Sequence, residues 1–380
     1  MKLGLAHEYF VAHGGAERVV ETLHEMWPDA PVYTFFHDRA RYGPLPGWNL
    51  RVSYLQRLLL GESHRLLLPL YPNAARALRV PPDTDVVLAS TSAFIKGIGV
   101  AEHTALVAYC HSPTRYLWDW SDRYLQEEVP APLHGVVRDL MGRLRETDRV
   151  FAARVDRWIA NSRVVAERIQ RYYGRESEVV YPPVDVDSFR VEKDRGDFWL
   201  FVGRLSSYKR ADVAVRAFND LGMRLIVVGE GRERAALERV ASENVVFTGR
   251  ADDATVRDLL GSARGLVFPA EDDFGMVCAE ALASGAPVVA LAAGGAPEIV
   301  RPGEDGVLVS APEARAFAEG VLEAERMTFD PTALRNGARR FDVSRFRERV
   351  RVIVDEANAS PRRSRQMDQD QEQEQEQEEE

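Results

Sequence analysis

Phe198-Trp199-Leu200-Phe201-Val202-Gly203-Arg204-Leu205-Ser206-Ser207-Tyr208-Lys209-Arg210, with a helix following from about Ala211, is the stretch that decides the fold. A short apolar, β-rich run ends at a glycine, opens on a polar turn and gives way to an amphipathic helix. That is the repeating unit of a parallel sheet covered by helices, an α/β architecture. The alternation continues on both sides. Strands are expected after it at 224–228, 245–247, 265–268, 287–290 and 306–309, and before it at 3–6, 32–35, 86–89, 105–109, 158–160 and 179–181. The turn after the quoted strand carries Arg204 and Lys209 at the carboxyl edge of its sheet, where α/β proteins bind ligands. Arg can grip a phosphate through two parallel hydrogen bonds and Lys supplies a mobile point charge. Two solvated surface cations would satisfy the same motif taken alone.

At 380 residues the chain exceeds what one hydrophobic core usually serves, so two domains are expected. Pro182-Pro183 followed by the charged stretch 190–197 marks the linker, placed near 183–197. It gives a first domain over 1–189, a second over 190–340, and a terminal helix over 341–358 with Phe341, Phe346, Val350 and Ile353 available for packing. The tail over 359–380 ends in almost pure Gln and Glu, which have no apolar surface to bury, so disorder is expected there. The net charge of -10 is uneven: residues 361–380 hold eight carboxylates and three arginines, leaving -5 for the body. An acidic body argues against a nucleic-acid partner. Cys110 and Cys278 lie in separate apolar segments without metal-ligand spacing and are expected as buried thiols. No apolar run is long enough to span a bilayer, and the N-terminus lacks a secretory cleavage region, so a cytoplasmic location is expected.

Three further segments carry chemistry. Gly14-Gly15 sits at a strand-to-helix turn, where glycines let the backbone approach a ligand and the helix end offers N–H groups to an anion; glycines also often simply make the turn. His111-Ser112-Pro113 follows the strand 105–109 and puts an imidazole at the sheet edge of the first domain. Glu271-Asp272-Asp273-Phe274-Gly275-Met276 follows the strand 265–268, and Glu280 lies just beyond on a helix of small apolar residues. Three adjacent acids repel one another, which suits hydroxyl recognition better than packing. A carboxylate on an apolar helix needs a partner, and a ribose diol would serve.

Gly14-Gly15-Ala16-Glu17-Arg18, His111-Ser112-Pro113, Gly203-Arg204 with Lys209, and Asp273-Phe274-Gly275 with Glu280 together resemble the family-four retaining glycosyltransferases, over about residues 1–357. The likeness is nearest to the mannosyltransferase-like branch that builds O-antigen, capsule or other lipid-linked glycans. It implies a GT-B fold: two Rossmann-like domains with a cleft between them and the terminal helix crossing back to the first. The first domain would hold the acceptor and the second the nucleotide-sugar, with GDP-mannose preferred. The resemblance further implies transfer with retention, without a metal or other cofactor. Arg204 and Lys209 would neutralise the leaving diphosphate, Glu280 would bind the ribose, and the loop from Glu271 and Asp272 through Asp273, Phe274, Gly275 and Met276 would hold the sugar. His111 would sit beside that sugar, and Gly14, Gly15 and Gly203 would approach the donor. One departure stands out. The family's acidic pair is two glutamates, whereas the first position here is Asp272, one methylene shorter, with Glu271 adjacent but out of register.

The leucine and arginine stretch at 51–60 and 65–70, with Arg76 and Arg79 beyond, reads either as core helices with exposed arginines or as an amphipathic face on anionic lipid that receives a lipid-linked acceptor. Competing classes on the same architecture are a nucleotide-sugar epimerase, a sugar phosphorylase, and a silent nucleotide-sugar-binding subunit. An epimerase would convert the donor without acceptor, a phosphorylase would need inorganic phosphate, and a silent subunit would bind donor without turnover.

Overall fold

The computed structural model describes residues 1–58, 63–192 and 195–360. The chain divides into two compact units, Met1–Val180 joined by the segment from Arg347 onward, and Tyr181–Phe346. The acidic tail from 361, residues 59–62 of the leucine and arginine stretch, and residues 193–194 of the linker lie outside the described residues.

The first unit runs β1 (Leu3–Phe10), α1 (Gly15–Met26), β2 (Val32–His37), β3 (Leu50–Val52), α2 (Tyr71–Ala77), β4 (Val86–Thr91), β5 (Ala105–Cys110), α3 (Ser121–Glu128), α4 (His134–Ala153), β6 (Arg157–Ala160), α5 (Arg163–Tyr173) and β7 (Glu178–Val179). Its strands pair in parallel in the order β3-β2-β1-β4-β5-β6-β7. β4 and β5 are buried along their whole length, as parallel strands covered on both faces must be. From β1 the chain moves outward to β2 and β3, then returns on the other side of β1 as β4, so the order reverses between β1 and β4.

The second unit runs β8 (Phe198–Val202), α6 (Ala211–Leu221), β9 (Arg224–Val228), α7 (Arg234–Val240), β10 (Val245–Gly249), α8 (Asp253–Ser262), β11 (Gly265–Phe268), α9 (Met276–Ala283), β12 (Val288–Leu291), α10 (Ala296–Ile299), β13 (Gly306–Val309), α11 (Ala314–Arg326) and α12 (Pro331–Ala338). Its order is β10-β9-β8-β11-β12-β13, with the reversal between β8 and β11. The period-2 alternation of the strands sorts the core into two layers. Leu200, Leu266 and Val288 pack on one face of the sheet and Trp199, Val267 and Val289 on the other.

Several bounds differ from those the sequence suggests. The units change over at Val180 rather than at 189, because Val184, Val186 and Phe189 pack into the second core. β1 extends to Phe10 instead of ending at residue 6, so His7 and Glu8 belong to a buried strand. β3 falls where an amphipathic stretch was expected; Arg51 and Val52 on it are exposed, so no apolar alternation marks it. The terminal helix α13 (Val343–Ala359) leaves the second unit at Phe346. From Arg347 it belongs with the first unit, where Arg347 pairs with Glu25 and Arg349 with Glu178. Phe341, Phe346, Val350 and Ile353 are all buried. Among the described residues no helix is long and apolar enough to cross a membrane.

Candidate functional site

In the second unit the reversal of strand order sets the carboxyl ends of β8 and β11 side by side. Such a reversal is where an open parallel sheet leaves a crevice for ligands. Gly203, Arg204 and Lys209 follow β8; Glu271, Asp272 and Asp273 follow β11. The two turns meet through Lys209 Nζ, 2.5 Å from Asp272 Oδ2, with the side chains 18% and 23% exposed. Burial disfavours the Lys209 charge, but the adjacent Asp272 carboxylate outweighs it and raises the ammonium pKa above its ordinary value. Lys209 is therefore not the free cation the sequence suggests. Arg204 is exposed and has no ion-pair partner among the described residues.

The rest of the acidic loop is also tied into the protein. Phe274 is buried, stacked on Tyr181 with centroids 5.5 Å apart and edge-on to Phe341 at 5.5 Å, so its ring serves the core. Gly275 precedes α9 in a left-handed conformation, and Met276 opens the helix. Glu280 is 6% exposed on α9. Glu271, Asp273 and Glu280 each interact within the protein, so the burial of Glu280 does not by itself demand a ligand hydroxyl. Cys278 is buried beneath them; burial and then Asp272 push its thiol pKa well up, and both cysteines are free.

Two glycine turns that went unremarked in the sequence shape this site. Gly294, after β12, has φ +62, and a Cβ there would lie 2.1 Å from the Asp272 carbonyl oxygen. The next N–H, of Gly295, donates to that oxygen at 2.8 Å. Gly229, after β9, has φ +143, and a Cβ there would lie 1.9 Å from the Gly203 carbonyl oxygen. Both turns brace the loops bearing Asp272 and Arg204, and in both the close approach needs a residue without a side chain. Ala-Ala-Gly-Gly at 292–295 after a strand was the available signal.

In the first unit the reversal lies between β1 and β4, and a polar chain crosses it. His111 Nε2 is 2.8 Å from Ser90 Oγ, which is 3.1 Å from His7 Nδ1. His7 Nε2 in turn is 3.8 Å from Glu17 Oε1 in the first turn of α1. A Cβ on Gly14 would meet Glu17 Oε2 at 2.9 Å, so the Gly14-Gly15 turn and His111 are linked through this chain. The turn expected to approach phosphates thus already carries a carboxylate, in a position the helix dipole favours. Burial, and next the nearby His7, push the His111 pKa down to about 3. Glu8 beside His7 is buried, and its Oε1 accepts from Thr91 Oγ1 at 2.9 Å and from the N–H groups of Ala93 at 2.7 Å and Ile95 at 3.2 Å.

Known proteins match both units. Residues 13–188 match the model described as Glycosyltransferase Family 4, and residues 197–325 match that described as Glycosyl transferases group 1. The chain carries the two domains of a glycosyltransferase. D-inositol 3-phosphate glycosyltransferases of Mycobacterium tuberculosis and Mycobacterium bovis are 32% identical to it over 202 residues. The match takes in 46% of this chain and 42% of theirs, so the chain spans less than half the length of these relatives. Among solved structures, Anabaena HepE in complex with UDP and glucose is 20% identical with a TM-score of 0.68, covering 93% of this chain and 99% of that one. Sucrose-phosphate synthase of Thermosynechococcus elongatus is 18% identical with a TM-score of 0.66, covering 98% and 99%. At these identities the likeness shows the fold, which is GT-B.

Proposed function

We propose that this chain is a retaining glycosyltransferase that moves a hexosyl group from a nucleotide-sugar to a hydroxyl of a glycan or lipid-linked acceptor, with GDP-mannose as the first donor. The observation that carries the reading is the meeting of Arg204, the Lys209–Asp272 pair and the buried Glu280 helix at the β8/β11 reversal. As the bond from the sugar C1 to the diphosphate oxygen breaks, negative charge grows on the diphosphate and positive charge on the sugar. Arg204 and Lys209 stabilise the first, and Asp272 lies close to the second. The acceptor oxygen bonds to C1 on the same face and its proton passes to the departing phosphate. No metal or other cofactor enters this reading. Glu280 binds the ribose and the Glu271–Met276 loop with Gly203 holds the donor; His111, Gly14 and Gly15 are the first unit's candidates for contact with a sugar.

A thermal-shift titration with GDP, UDP and ADP tests the donor site. A nucleotide held only by the native state at ~100 times its dissociation constant adds ~2.7 kcal/mol of stability. Preference for GDP supports mannosyl transfer. Preference for UDP, the nucleotide bound in the HepE structure, redirects the donor to UDP-sugars while keeping the site. Arg204→Ala should lower turnover ~10²-fold or more; normal turnover in that variant, or no response to any nucleotide, would remove the assignment.

The first unit supports a lipid-linked acceptor. Val52, Tyr54 and Leu58 are 42%, 45% and 46% exposed, beside exposed Arg51 and Arg57. An apolar surface edged with arginines suits peripheral contact with an anionic membrane from its cytoplasmic side. Co-flotation with anionic liposomes at low salt, lost in neutral liposomes, is the expected result.

A further inference from the structure

The chain that joins α1 to His111 has a direction. Ser90 has one hydroxyl proton and two ring nitrogens as neighbours, so it donates to one and accepts from the other. The far end decides which. His7 Nε2 is buried without a hydrogen-bond partner, and the carboxylate oxygen of Glu17 lies 3.8 Å from it. In the neutral His7 ring a lone pair facing that carboxylate is repelled and an N–H is attracted, which puts its one proton on Nε2. His7 Nδ1 is then an acceptor, and Ser90 donates to it. The Ser90 oxygen in turn accepts from His111, whose proton must be on Nε2.

We propose that Glu17, His7 and Ser90 are positioning residues that lock His111 in the Nε2–H tautomer, so that the nitrogen it offers to a ligand, Nδ1, accepts a hydrogen bond from a sugar hydroxyl. The ring is neutral at ordinary pH, because burial and His7 hold its pKa down to about 3, so only one nitrogen carries a proton. Nδ1 has no hydrogen-bond partner among the described residues, and the ring is only part-buried. An acceptor at this point selects a hydroxyl over a carbonyl or a phosphate oxygen. The identity of the ligand rests on the proposed function; the tautomer does not.

The experiment is a long-range ¹H–¹⁵N correlation on the full chain labelled at histidine, without nucleotide or sugar, the His111 signals being those missing in His111→Gln. The expected result is a single Nε2–H pattern for His111. In Ser90→Ala the chain is cut, and the two nitrogen shifts should draw together as both tautomers become populated. Glu17→Gln keeps the shape, removes the charge and should do the same more weakly. An Nδ1–H pattern in the natural protein overturns the proposal, as does an unchanged Nε2–H pattern in both variants. Should Ser90→Ala not fold, the natural protein and Glu17→Gln still decide it. Because no transfer is measured, a missing sugar-transfer activity leaves this result standing, and a wrong tautomer leaves the transferase reading standing.

Discussion

Replacing one glycine methylene hydrogen by a methyl, in Gly294→Ala, should disable the site while leaving the fold. At φ +62 an alanine costs about 1–2 kcal/mol of backbone strain. Its Cβ would lie 2.1 Å from the Asp272 carbonyl oxygen, roughly 1 Å inside the ~3.3 Å at which carbon and oxygen comfortably touch. The Asp272 loop must retreat, and the 2.8 Å bond from Gly295 N–H to that carbonyl goes with it, about 1 kcal/mol more. The sum, about 2–3 kcal/mol, lies well inside the stability of an ordinary domain. For a unit of this size it corresponds to a fall in Tm of roughly 5–10 °C. Displacing a substrate-positioning loop by about 1 Å costs on the order of 10²-fold in turnover. Gly222→Ala is the matched control. That glycine has φ +67 at the end of α6, with nothing within 4 Å of an added Cβ. It should lose about 1–2 kcal/mol through strain alone and keep its turnover. Paired thermal melts and donor-turnover assays on the two variants separate strain from displacement. Equal turnover in both would refute the argument that Gly294 holds Asp272 in place.

Other perturbations give distinct readouts. Lys209→Met should lower both turnover and stability, the latter by about 1.5–3 kcal/mol, because it leaves Asp272 half-buried beside an apolar neighbour; Arg204→Ala, at an exposed position, should lower turnover with an unchanged melting curve. Lys96→Met removes one half of a pair buried in the first unit, 2.6 Å from Asp148, and should cost about 3–5 kcal/mol in urea unfolding, tempered by the bonds that Thr114, Trp118 and Tyr173 still make to that carboxylate. Burial and then His7 push the folded His111 pKa down to about 3 from its ordinary 6.5, so the unfolded chain binds the extra proton between those values. Its contribution to stability is therefore full above about 6.5 and declines as pH falls, by up to about 1.4 kcal/mol per unit; denaturant melts of His111→Gln between pH 6.5 and 4.5 should fall less steeply than those of the natural protein.

The strands were legible because each is a short apolar run, and a parallel strand buried on both faces must be one. The run from Phe198 to Val202 and the cations after it were found for that reason. What stayed hidden were pairings that depend on strand order. The acids 271–273 read as mutually repelling and suited to hydroxyls because the sequence does not show that β11 lies against β8, and hence that Asp272 meets a lysine 63 residues earlier. His7 and Glu8 fell outside the expected strand 3–6 because polar side chains in a buried strand are tolerable only with partners, and theirs, Ser90 and Thr91, are 83 residues away. The Ala-Ala-Gly-Gly run at 292–295 marked a turn, but why Gly294 matters stayed hidden until the loop it touches was known.

The pairing of Lys209 with Asp272 bears on how a diphosphate would be held. Before a donor arrives, the pair is nearly neutral and Arg204 supplies the positive charge at the β8/β11 reversal. A diphosphate would therefore be drawn first to Arg204, and Lys209 would contribute fully only as its contact with Asp272 is shared or exchanged. Exchange has a second effect. An Asp272 relieved of its cation is a better acceptor for a sugar hydroxyl and a stronger electrostatic partner for charge developing at C1. The same movement would thus strengthen the stabilisation of both charges as the bond breaks, which is the differential binding that accelerates a reaction rather than merely holding its substrate. Aspartate suits this arrangement because its side chain already reaches Lys209 at 2.5 Å across the two turns.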